Sequence, residues 1–315
     1  MLAHLTALRN VRGIRGLAHR LGEFQRRASY SVTGANHLAK LRANRNRSRP
    51  EIAAVMVGRN DDYMLDFRER LHATIAWNIR HLVREIIFVE WNPPAERELL
   101  SYGLTERFGA VRAYVVPRAI HQALSQSAHL PLLEYHAKNV GIRRARSSWI
   151  IATNADVALG PDTIVRLSRL ELSPEVAWSA ERVDIPWREW RGRQINTLDC
   201  LRYRRIIPYD SLGTGDFLMA HKALWERTRG YDESLLKHRI GCDVRGAAQM
   251  LAHGAEIEKA GTVLHLAHPT SCTEGVKPHH GEYASLEGVP YRNEDSWGLN
   301  DCRETQIGER TWILE

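Results

Sequence analysis

Apolar runs and polar loops alternate from residue 51 onwards, and their pattern predicts strands and helices in turn. Short continuous runs rich in β-branched residues predict four buried strands, at Ile52–Val57, Glu85–Val89, Val111–Val116 and Trp149–Thr153. The segments between them predict helices, at Phe67–Leu82, Glu96–Phe108 and Leu132–Arg144. Because strands alternate with helices, we expect βαβ units and a mainly parallel sheet.

Acidic residues follow three of these four strands. Asp61 and Asp62 follow the first strand, Glu90 the second and Asp156 the fourth. Sheets of this kind bind ligands beyond the carboxyl ends of their strands, so we expect the acids to surround one site. Neither a Gly-x-Gly-x-x-Gly nor a Walker loop is present, and carboxylates in their place indicate phosphates held through Mn²⁺ or Mg²⁺. A helix cap or a solvated loop is the alternative role for any one acid.

The composition excludes several classes of protein. Hydrophobic residues make up 43% of the 315 residues and charged residues 26%, which is ordinary for a globular chain. No run approaches the roughly 18 to 20 apolar residues of a membrane-spanning helix. The four cysteines lie 30 or more residues apart, which does not fit a zinc knuckle or a redox motif and favours a reducing compartment.

Positive charge is concentrated in the first 50 residues. They hold eleven basic residues and one acidic residue, a net charge of +10, so the other 265 residues carry −3 of the chain's +7. On a helical wheel, residues 9–28 separate an apolar face from an arginine-rich face. Three glycines weaken such a helix, since each costs up to about 1 kcal/mol, so it needs a surface to lie on. Residues 40–50, closed by Pro50, are typical of a linker.

A membrane surface is the partner that residues 9–28 fit best. An anionic leaflet attracts the arginines while the apolar face enters the interface, which predicts a cytoplasmic protein that is peripheral at the membrane. Docking on the protein's own body or on a second copy in a homo-oligomer is an alternative, and a mitochondrial transit peptide is another. No nucleic acid partner is expected, because the arm has few aromatic residues and no known motif.

Two neighbouring segments resemble the central signature of glycosyltransferase family 2 and its GT-A relatives. The first, Ala137–Ala145, contains a Lys-Asn-Val-Gly run, and the second, Trp149–Val157, ends in Asn154-Ala155-Asp156-Val157. In that family a basic-Asn-x-Gly helix precedes a strand that ends in an Asp-x-Asp motif. The two segments have this order and this spacing.

Three later features resemble further motifs of the same family. Gly213–Met219 and Gly230–Glu233 are similar to its Gly-Gly-Phe-Asp-Glu region. Cys242-Asp243, with Gly254 eleven residues after the aspartate, is similar to its Glu-Asp … Gly helix. The resemblance covers roughly residues 51–270 in the right order.

The resemblance implies an α/β fold of the GT-A type, a Rossmann-like αβα single domain with a mainly parallel central sheet. We expect this catalytic domain at residues 51–272, after a basic helical arm and linker at residues 1–50. Residues 273–315 are expected to form a loop-rich extension that packs on the domain.

The resemblance also implies a role for individual residues. The nucleotide-sugar donor is expected to contact Arg59, Asn60, Asp61, Glu90, Lys138, Arg143 and Asn154. Asp156 would be a metal ligand, and Asp243 the general base of an inverting transfer. These residue types suit the chemistry, since a metal and basic side chains stabilise a leaving diphosphate, and a carboxylate can take the acceptor's proton.

A histidine near the end of the run Val263–Pro269 is expected to be a further metal ligand. His265 and His268 are the candidates, and strand alternation predicts that the two point to opposite sides. We favour His268, because Pro269 helps to end the strand and places His268 at its rim. His279 and His280 are weaker candidates, and a hydrogen-bonded structural role is the alternative for any of them.

The acceptor side is expected to involve Asp216 and the tryptophans Trp187 and Trp190. Aromatic rings can stack on the C–H faces of sugars, although core packing is the alternative role for each tryptophan. Asp216 lies where enzymes of the GT-A type often contact their acceptor.

The sequence therefore predicts an enzyme that transfers a sugar from a nucleotide-sugar donor to a glycan or lipid-linked acceptor, as in polysaccharide biosynthesis. Asn154 and Cys242 replace acids of the family motifs, and they favour the alternative of a degenerate GT-A protein that acts as a glycan-binding or scaffold subunit. A nucleotidyltransferase is disfavoured, because only Gly58-Arg59 stands where such enzymes carry a glycine- and arginine-rich loop.

Overall fold

The computed structural model describes residues 50–61, 64–127, 129–169, 172–190, 215–268 and 282–315. Within these ranges the central sheet consists of β1 (Ile52–Gly58), β2 (Glu85–Trp91), β3 (Val111–Val116), β4 (Trp149–Thr153), β5 (Val157–Leu159), β6 (Val176–Pro186), β7 (Phe217–His221), β9 (Glu256–Ala267), β11 (Glu304–Gly308) and β12 (Thr311–Leu314). A separate pair is formed by β8 (His238–Ile240) and β10 (Glu282–Tyr283). The four strands predicted from apolar runs are confirmed.

The ten strands lie in the order β11-β12-β3-β2-β1-β4-β7-β6-β9-β5. All the pairings from β12 to β4 are parallel, so these strands direct their carboxyl ends to the same edge. Beyond β4 the sheet is mixed, since β7 runs antiparallel to both β4 and β6, while β6 and β9 are parallel. The first residues of β7 therefore meet the last residues of β4 at that edge.

The helices cover both faces of the sheet. They are α1 (Phe67–His81), α2 (Leu100–Arg107), α3 (Arg118–Leu124), α4 (Glu134–Arg144), α5 (Pro161–Leu167), α6 (Trp187–Trp190), α7 (Lys222–Thr228) and α8 (Cys242–Ala252). Alternate residues of β1 enter two separate apolar cores, one built with α1 and α2, the other with α4, α7 and α8. The αβα architecture expected from the sequence is confirmed. A strand that is buried on both faces needs a continuous apolar run, and this is the pattern that the sequence shows for β1.

The C-terminal segment differs from the loop-rich extension that was expected. β12 joins the central sheet beside β3, and β11 extends the sheet further by an antiparallel pairing. Trp297 is buried in the core that contains α4, and the guanidinium of Arg144 donates to the carbonyl oxygens of Gly298 and Leu299. Residues 282–315 pack on the α/β body and complete its sheet.

The basic arm at residues 1–49 and the candidate ligands His279 and His280 lie outside the described residues. In the part of the chain that the structure describes, no helix combines the length and the apolar composition needed to cross a bilayer.

Gly141 allows the helix α4 to approach β1 closely. A Cβ atom at this position would lie 2.3 Å from Cγ1 of Val55, whereas a Cβ at Gly103 of α2 would meet nothing within 4 Å. We expect Gly141→Ala to lower the free energy of unfolding by about 1 to 3 kcal/mol through overpacking. Gly103→Ala should raise it by up to about 1 kcal/mol, because alanine favours the helix and meets no obstacle. Urea denaturation of both variants tests this. Changes of the same sign in their free energies of unfolding would contradict it.

Candidate functional site

A cavity of about 540 Å³ opens at the edge where β1 and β4 end. Val57 at the end of β1, Asn154 and Asp156 after β4, and Asp243 in the first turn of α8 all line it. A second cavity of about 800 Å³, beyond the end of β2, shares Arg59 and His129–Pro131 with the first. The predicted position of the site, beyond the carboxyl ends of parallel strands, agrees with this geometry.

Asp156, His265 and His268 converge at one side of the first cavity. Nε2 of His268 lies 2.8 Å and Nε2 of His265 lies 3.1 Å from Oδ2 of Asp156. One ligand atom from each residue falls within 4.8 Å of the others. The arrangement depends on β9, because the backbone N–H of Leu266 donates to the carbonyl oxygen of Asp156 and fixes the two segments together.

The expectation that His265 and His268 point to opposite sides is wrong. β9 ends at Ala267, so His268 lies beyond the strand, where side chains no longer alternate. Both imidazoles lie beside the same carboxylate, with ring centroids 5.0 Å apart. Both histidines are therefore placed as candidate ligands beside Asp156.

The charges of this cluster stabilise one another. Burial alone would lower the pKa of His265, but the Asp156 carboxylate and the hydrogen bond to Asp184 together outweigh burial and raise that pKa to about 9. Burial would raise the pKa of Asp156, whereas its contacts with the two histidines hold that pKa far below its usual range. Asp156 is thus a carboxylate at neutral pH, which is the form that a metal ion requires.

A second layer of polar side chains stands behind His265. Nδ1 of His265 lies 2.9 Å from Oδ1 of Asp184, and Nε of Arg182 donates to the same oxygen over 2.7 Å. Arg182 also reaches Oδ2 of Asp216 at 3.3 Å, and Nδ2 of Asn154 donates to Oδ1 of Asp216 over 3.0 Å. The sequence analysis missed Arg182 and Asp184. Charged and apolar residues alternate along Arg182–Ile185, and this was the signal of a strand with one polar face.

Asp243 lies in the wall of the same cavity, near Gly215 and Lys138. Burial raises the pKa of its carboxyl group, while the backbone N–H of Val244 and the charge of Lys138 oppose the increase. A Cβ atom at Gly215 would lie 2.8 Å from the hydroxyl oxygen of Tyr135 and at an ordinary 3.9 Å from Cβ of Asp243, so a side chain there would crowd Tyr135. A carboxylate with a raised pKa in a cavity is suited to accept a proton near neutral pH.

The structure brings some of the other predicted donor and acceptor residues to the cavity. Arg59 and Asp61 line it and form an ion pair of 2.8 Å, and Asp216 lines it as well. Lys138 lies just behind the wall, where its fully buried ammonium donates to Oε1 of Glu134 and to the carbonyl oxygen of Gly215.

Three predicted donor contacts are placed elsewhere. Both carboxylate oxygens of Glu90 accept hydrogen bonds from the N-terminus of α2, at Leu100 and Ser101, so Glu90 caps a helix. This cap also explains why α2 begins at Leu100 and not at Glu96. Nδ2 of Asn60 donates to the carbonyl oxygen of Glu98, and Arg143 lies over the ring of Trp297. None of the three lines either cavity in the described part of the chain.

The two tryptophans expected on the acceptor side also have structural partners. Nε1 of Trp187 donates to Oδ2 of Asp66, and Trp190 is buried with its ring 5.2 Å from that of Trp77. Neither ring lines the cavities formed by the described residues. The core-packing alternative accounts for Trp190, and Trp187 belongs to the same cluster.

His136, in the cavity wall, gives the fold a pH dependence. Its Nε2 donates to the carbonyl oxygen of Glu233 over 2.8 Å, and burial lowers its pKa from 6.5 to about 4. The unfolded chain therefore binds this proton at a higher pH than the folded chain, so stability must fall as the pH falls from about 6.5 to 4. The slope contributed by one group is at most about 1.4 kcal/mol per pH unit.

We expect His136→Gln to weaken this dependence, because glutamine can donate the hydrogen bond without binding a proton. Urea unfolding of both proteins at several values between pH 4.5 and pH 7 measures the difference. Equal slopes for the two proteins would refute the assignment.

The sequence matches no protein-family model and no curated protein, but several solved structures are similar to it. One is the mannosyltransferase PcManGT from Pyrobaculum calidifontis in complex with GDP-Man and Mn²⁺, with 14% identity, a TM-score of 0.44, and 81% of this chain and 68% of that chain covered. Another is S. aureus TarS, with 8% identity, a TM-score of 0.43, and 69% and 37% covered. A third is glucosyl-3-phosphoglycerate synthase from Mycobacterium tuberculosis in complex with Mn²⁺, UDP and phosphoglyceric acid, with 12% identity, a TM-score of 0.34, and 70% and 72% covered.

Proposed function

We propose that the chain is a glycosyltransferase that transfers a sugar from a nucleotide-sugar donor to an acceptor hydroxyl. The observation that carries the proposal is a single cavity that holds both a candidate metal cluster, Asp156 with His265 and His268, and a buried carboxylate, Asp243. Such a cavity offers the two things that the reaction needs, a site for the diphosphate and a proton acceptor.

The donor atoms of the metal cluster fit Mn²⁺ better than Mg²⁺. One carboxylate and two imidazoles offer one oxygen and two nitrogen ligands, whereas Mg²⁺ is usually held by oxygen alone. Asp156, His265 and His268 would hold the ion. When bound, it would supply positive charge that stabilises the departing nucleoside diphosphate.

Asn154 is suited to contact the donor, although it replaces an acid of the family motif. Its Nδ2 donates a hydrogen bond to Asp216, but its Oδ1 is buried without a hydrogen-bond partner among the described residues. A buried acceptor left unpaired costs about 1 to 3 kcal/mol, so a bound hydroxyl group would remove a penalty. A ribose hydroxyl is the donor group that we assign to this oxygen. Arg59 and Asp61, which also line the cavity, are assigned to the nucleoside.

Asp243 is the general base in this proposal. Its carboxylate would accept the proton of the acceptor hydroxyl as the oxygen attacks the anomeric carbon, and the bond to the diphosphate breaks on the opposite face. The configuration at the anomeric carbon is then inverted in the product. The charge of Lys138 lowers the pKa of Asp243 against the effect of burial, which favours the ionised carboxylate that a base requires.

A degenerate protein that binds glycans without transferring sugar is the second candidate. The observation that favours it is the ion pair between Arg182 and Asp216, because it occupies the carboxylate that we expected at the acceptor. Association with a membrane through residues 9–28, and extension of a lipid-linked or surface glycan, remain proposals that rest on the sequence.

A thermal-shift screen tests the proposal. The full-length protein is heated with UDP-, GDP-, CMP- and dTDP-sugars, each with Mn²⁺, with Mg²⁺ and with a chelator. A ligand at 100 times its dissociation constant should stabilise the fold by about 2.7 kcal/mol. A shift with one nucleotide class that needs Mn²⁺, followed by release of the nucleoside diphosphate, supports a transferase. A shift without turnover supports a degenerate protein that still binds the donor. No shift with any donor contradicts the transferase and favours the protein that binds only glycans.

A further inference from the structure

We propose that Asp184 is a positioning residue that orients His265 as a metal ligand, an inference that rests on the metal site of the proposed function. His265 can bind a metal through Nε2 only if Nε2 carries no proton. The other ring nitrogen must then carry the proton, so whatever bonds to Nδ1 decides whether the ring is ready to bind. Asp184 and Arg182 are the two groups at that nitrogen.

In the neutral ring that a metal requires, the two neighbours of Nδ1 select opposite tautomers. Oδ1 of Asp184, at 2.9 Å, can only accept, so it requires a proton on Nδ1 and leaves Nε2 free for a metal. Nη2 of Arg182 lies 2.8 Å from Nδ1 and 3.3 Å from Nε2 and can only donate. A bond from Nη2 to Nδ1 requires a bare Nδ1 and puts the proton on Nε2. Nε2 would then donate to Asp156, which lies 3.1 Å away, and the ring could not bind a metal through that atom.

Arg182 is held through its other two nitrogens, and this favours Asp184 in the competition for Nδ1. Nε of Arg182 donates to Oδ1 of Asp184, and Nη1 lies 3.3 Å from Oδ2 of Asp216. The guanidinium is therefore held by two carboxylates whether or not Nδ1 accepts from it. The same contacts fix the Asp184 carboxylate in front of Nδ1.

Asp184 lies on β6, the strand next to β9, which carries His265. β6 and β9 are parallel, and Asp184 is paired directly with His265. Directly paired residues of neighbouring strands project from the same face, so the backbone itself brings the carboxylate to the ring. The side chain of Asp184 is 21% exposed, while that of His265 is 4% exposed, so the carboxylate lies between the buried ring and the solvent-accessible surface.

Direct titration with Mn²⁺, followed by calorimetry or by the electron paramagnetic resonance signal of free Mn²⁺, tests the inference without any assay of activity. We expect Asp184→Ala to weaken Mn²⁺ binding by about tenfold or more, the usual effect of removing the partner of a metal-bound histidine. Asp184→Asn should weaken it less, because the amide oxygen can still accept from Nδ1. Glu258→Gln removes the same charge from an exposed ion pair on β9 and should leave the affinity within about twofold.

A second measurement separates positioning from a general effect on the fold. In protein loaded with Zn²⁺ as a diamagnetic substitute, the Nδ1–H proton of His265 should be protected from exchange, and its signal should disappear in His265→Gln. Asp184→Ala should lose the protection while the metal-free protein keeps its unfolding temperature within a few degrees. Unchanged Mn²⁺ affinity in both Asp184 variants would overturn the positioning role of Asp184 and leave the proposed metal site intact. Failure of the wild-type protein to bind Mn²⁺ would overturn the metal site and the inference together.

Discussion

Asp156→Ala is expected to abolish both Mn²⁺ binding and sugar transfer. Asp156 supplies the carboxylate that both His265 and His268 contact, so its loss leaves two imidazoles without the negative charge that offsets a divalent cation. We expect the dissociation constant for Mn²⁺ to rise by more than about 100-fold, beyond the usual cost of changing a residue that only supports a ligand. A metal supplies several kcal/mol of stabilisation, so the rate of transfer should fall by about 10³-fold or more.

Two variants control for damage to the fold. Asp156→Asn keeps the shape of the side chain and removes its charge, so it should lose most of the affinity while remaining folded. Asp162→Asn makes the same change at a carboxylate that accepts from Thr262 outside the cavity, and should bind Mn²⁺ normally. Calorimetry with Mn²⁺ and an assay of nucleoside diphosphate release measure the two effects. Wild-type affinity in Asp156→Ala would exclude Asp156 as a ligand.

Asp243→Asn is expected to lower kcat by about 10² to 10⁴-fold, the range typical of a lost general base, with little change in donor affinity. The amide cannot accept the proton of the acceptor hydroxyl, while the cavity keeps its shape. The wild-type rate should rise with pH as Asp243 ionises, at a pH above the usual range for aspartate because burial raises its pKa. This limb of the pH profile should be absent in Asp243→Asn.

The matched control is Asp295→Asn, which removes a charge from a side chain that is 93% exposed. It should keep the wild-type rate and the wild-type pH profile. Steady-state kinetics at saturating donor, together with donor binding measured by calorimetry, separates kcat from affinity. A variant Asp243→Asn that retains its rate, or that loses rate only through weaker donor binding, would assign the base elsewhere.

The parts of the fold that the sequence predicts best are those with a strong hydrophobic signal. β1 is a continuous apolar run because both of its faces are buried, and this pattern is rare in loops. The strand β6 carries Glu181, Arg182 and Asp184, so its apolar run is broken. Arg182 lines the cavity, and Asp184 contacts His265. β12 has only four residues, and its identity as a strand depends on its pairing with β3, which lies far away in sequence.

The ends of strands are easier to locate from the sequence than the directions of side chains. Asp156 and Asp243 lie in one cavity, as the motifs require. Glu90 follows a strand as Asp156 does, but the N-terminus of α2 takes its carboxylate, and no local pattern shows that competition. The convergence of His265 and His268 depends on where β9 ends, which propensity does not locate to a single residue.

The pairing of β12 with β3 has a consequence for the order in which the protein is made. β3 is complete once residue 116 has been synthesised, but its neighbour spans Thr311–Leu314, so the ribosome must add almost 200 further residues before the pair can form. During that time the backbone N–H and C=O groups along one side of β3 have no native strand to bond. A nascent chain in this state exposes a template for strands of other copies, so dependence on chaperones should decrease only after these last strands emerge.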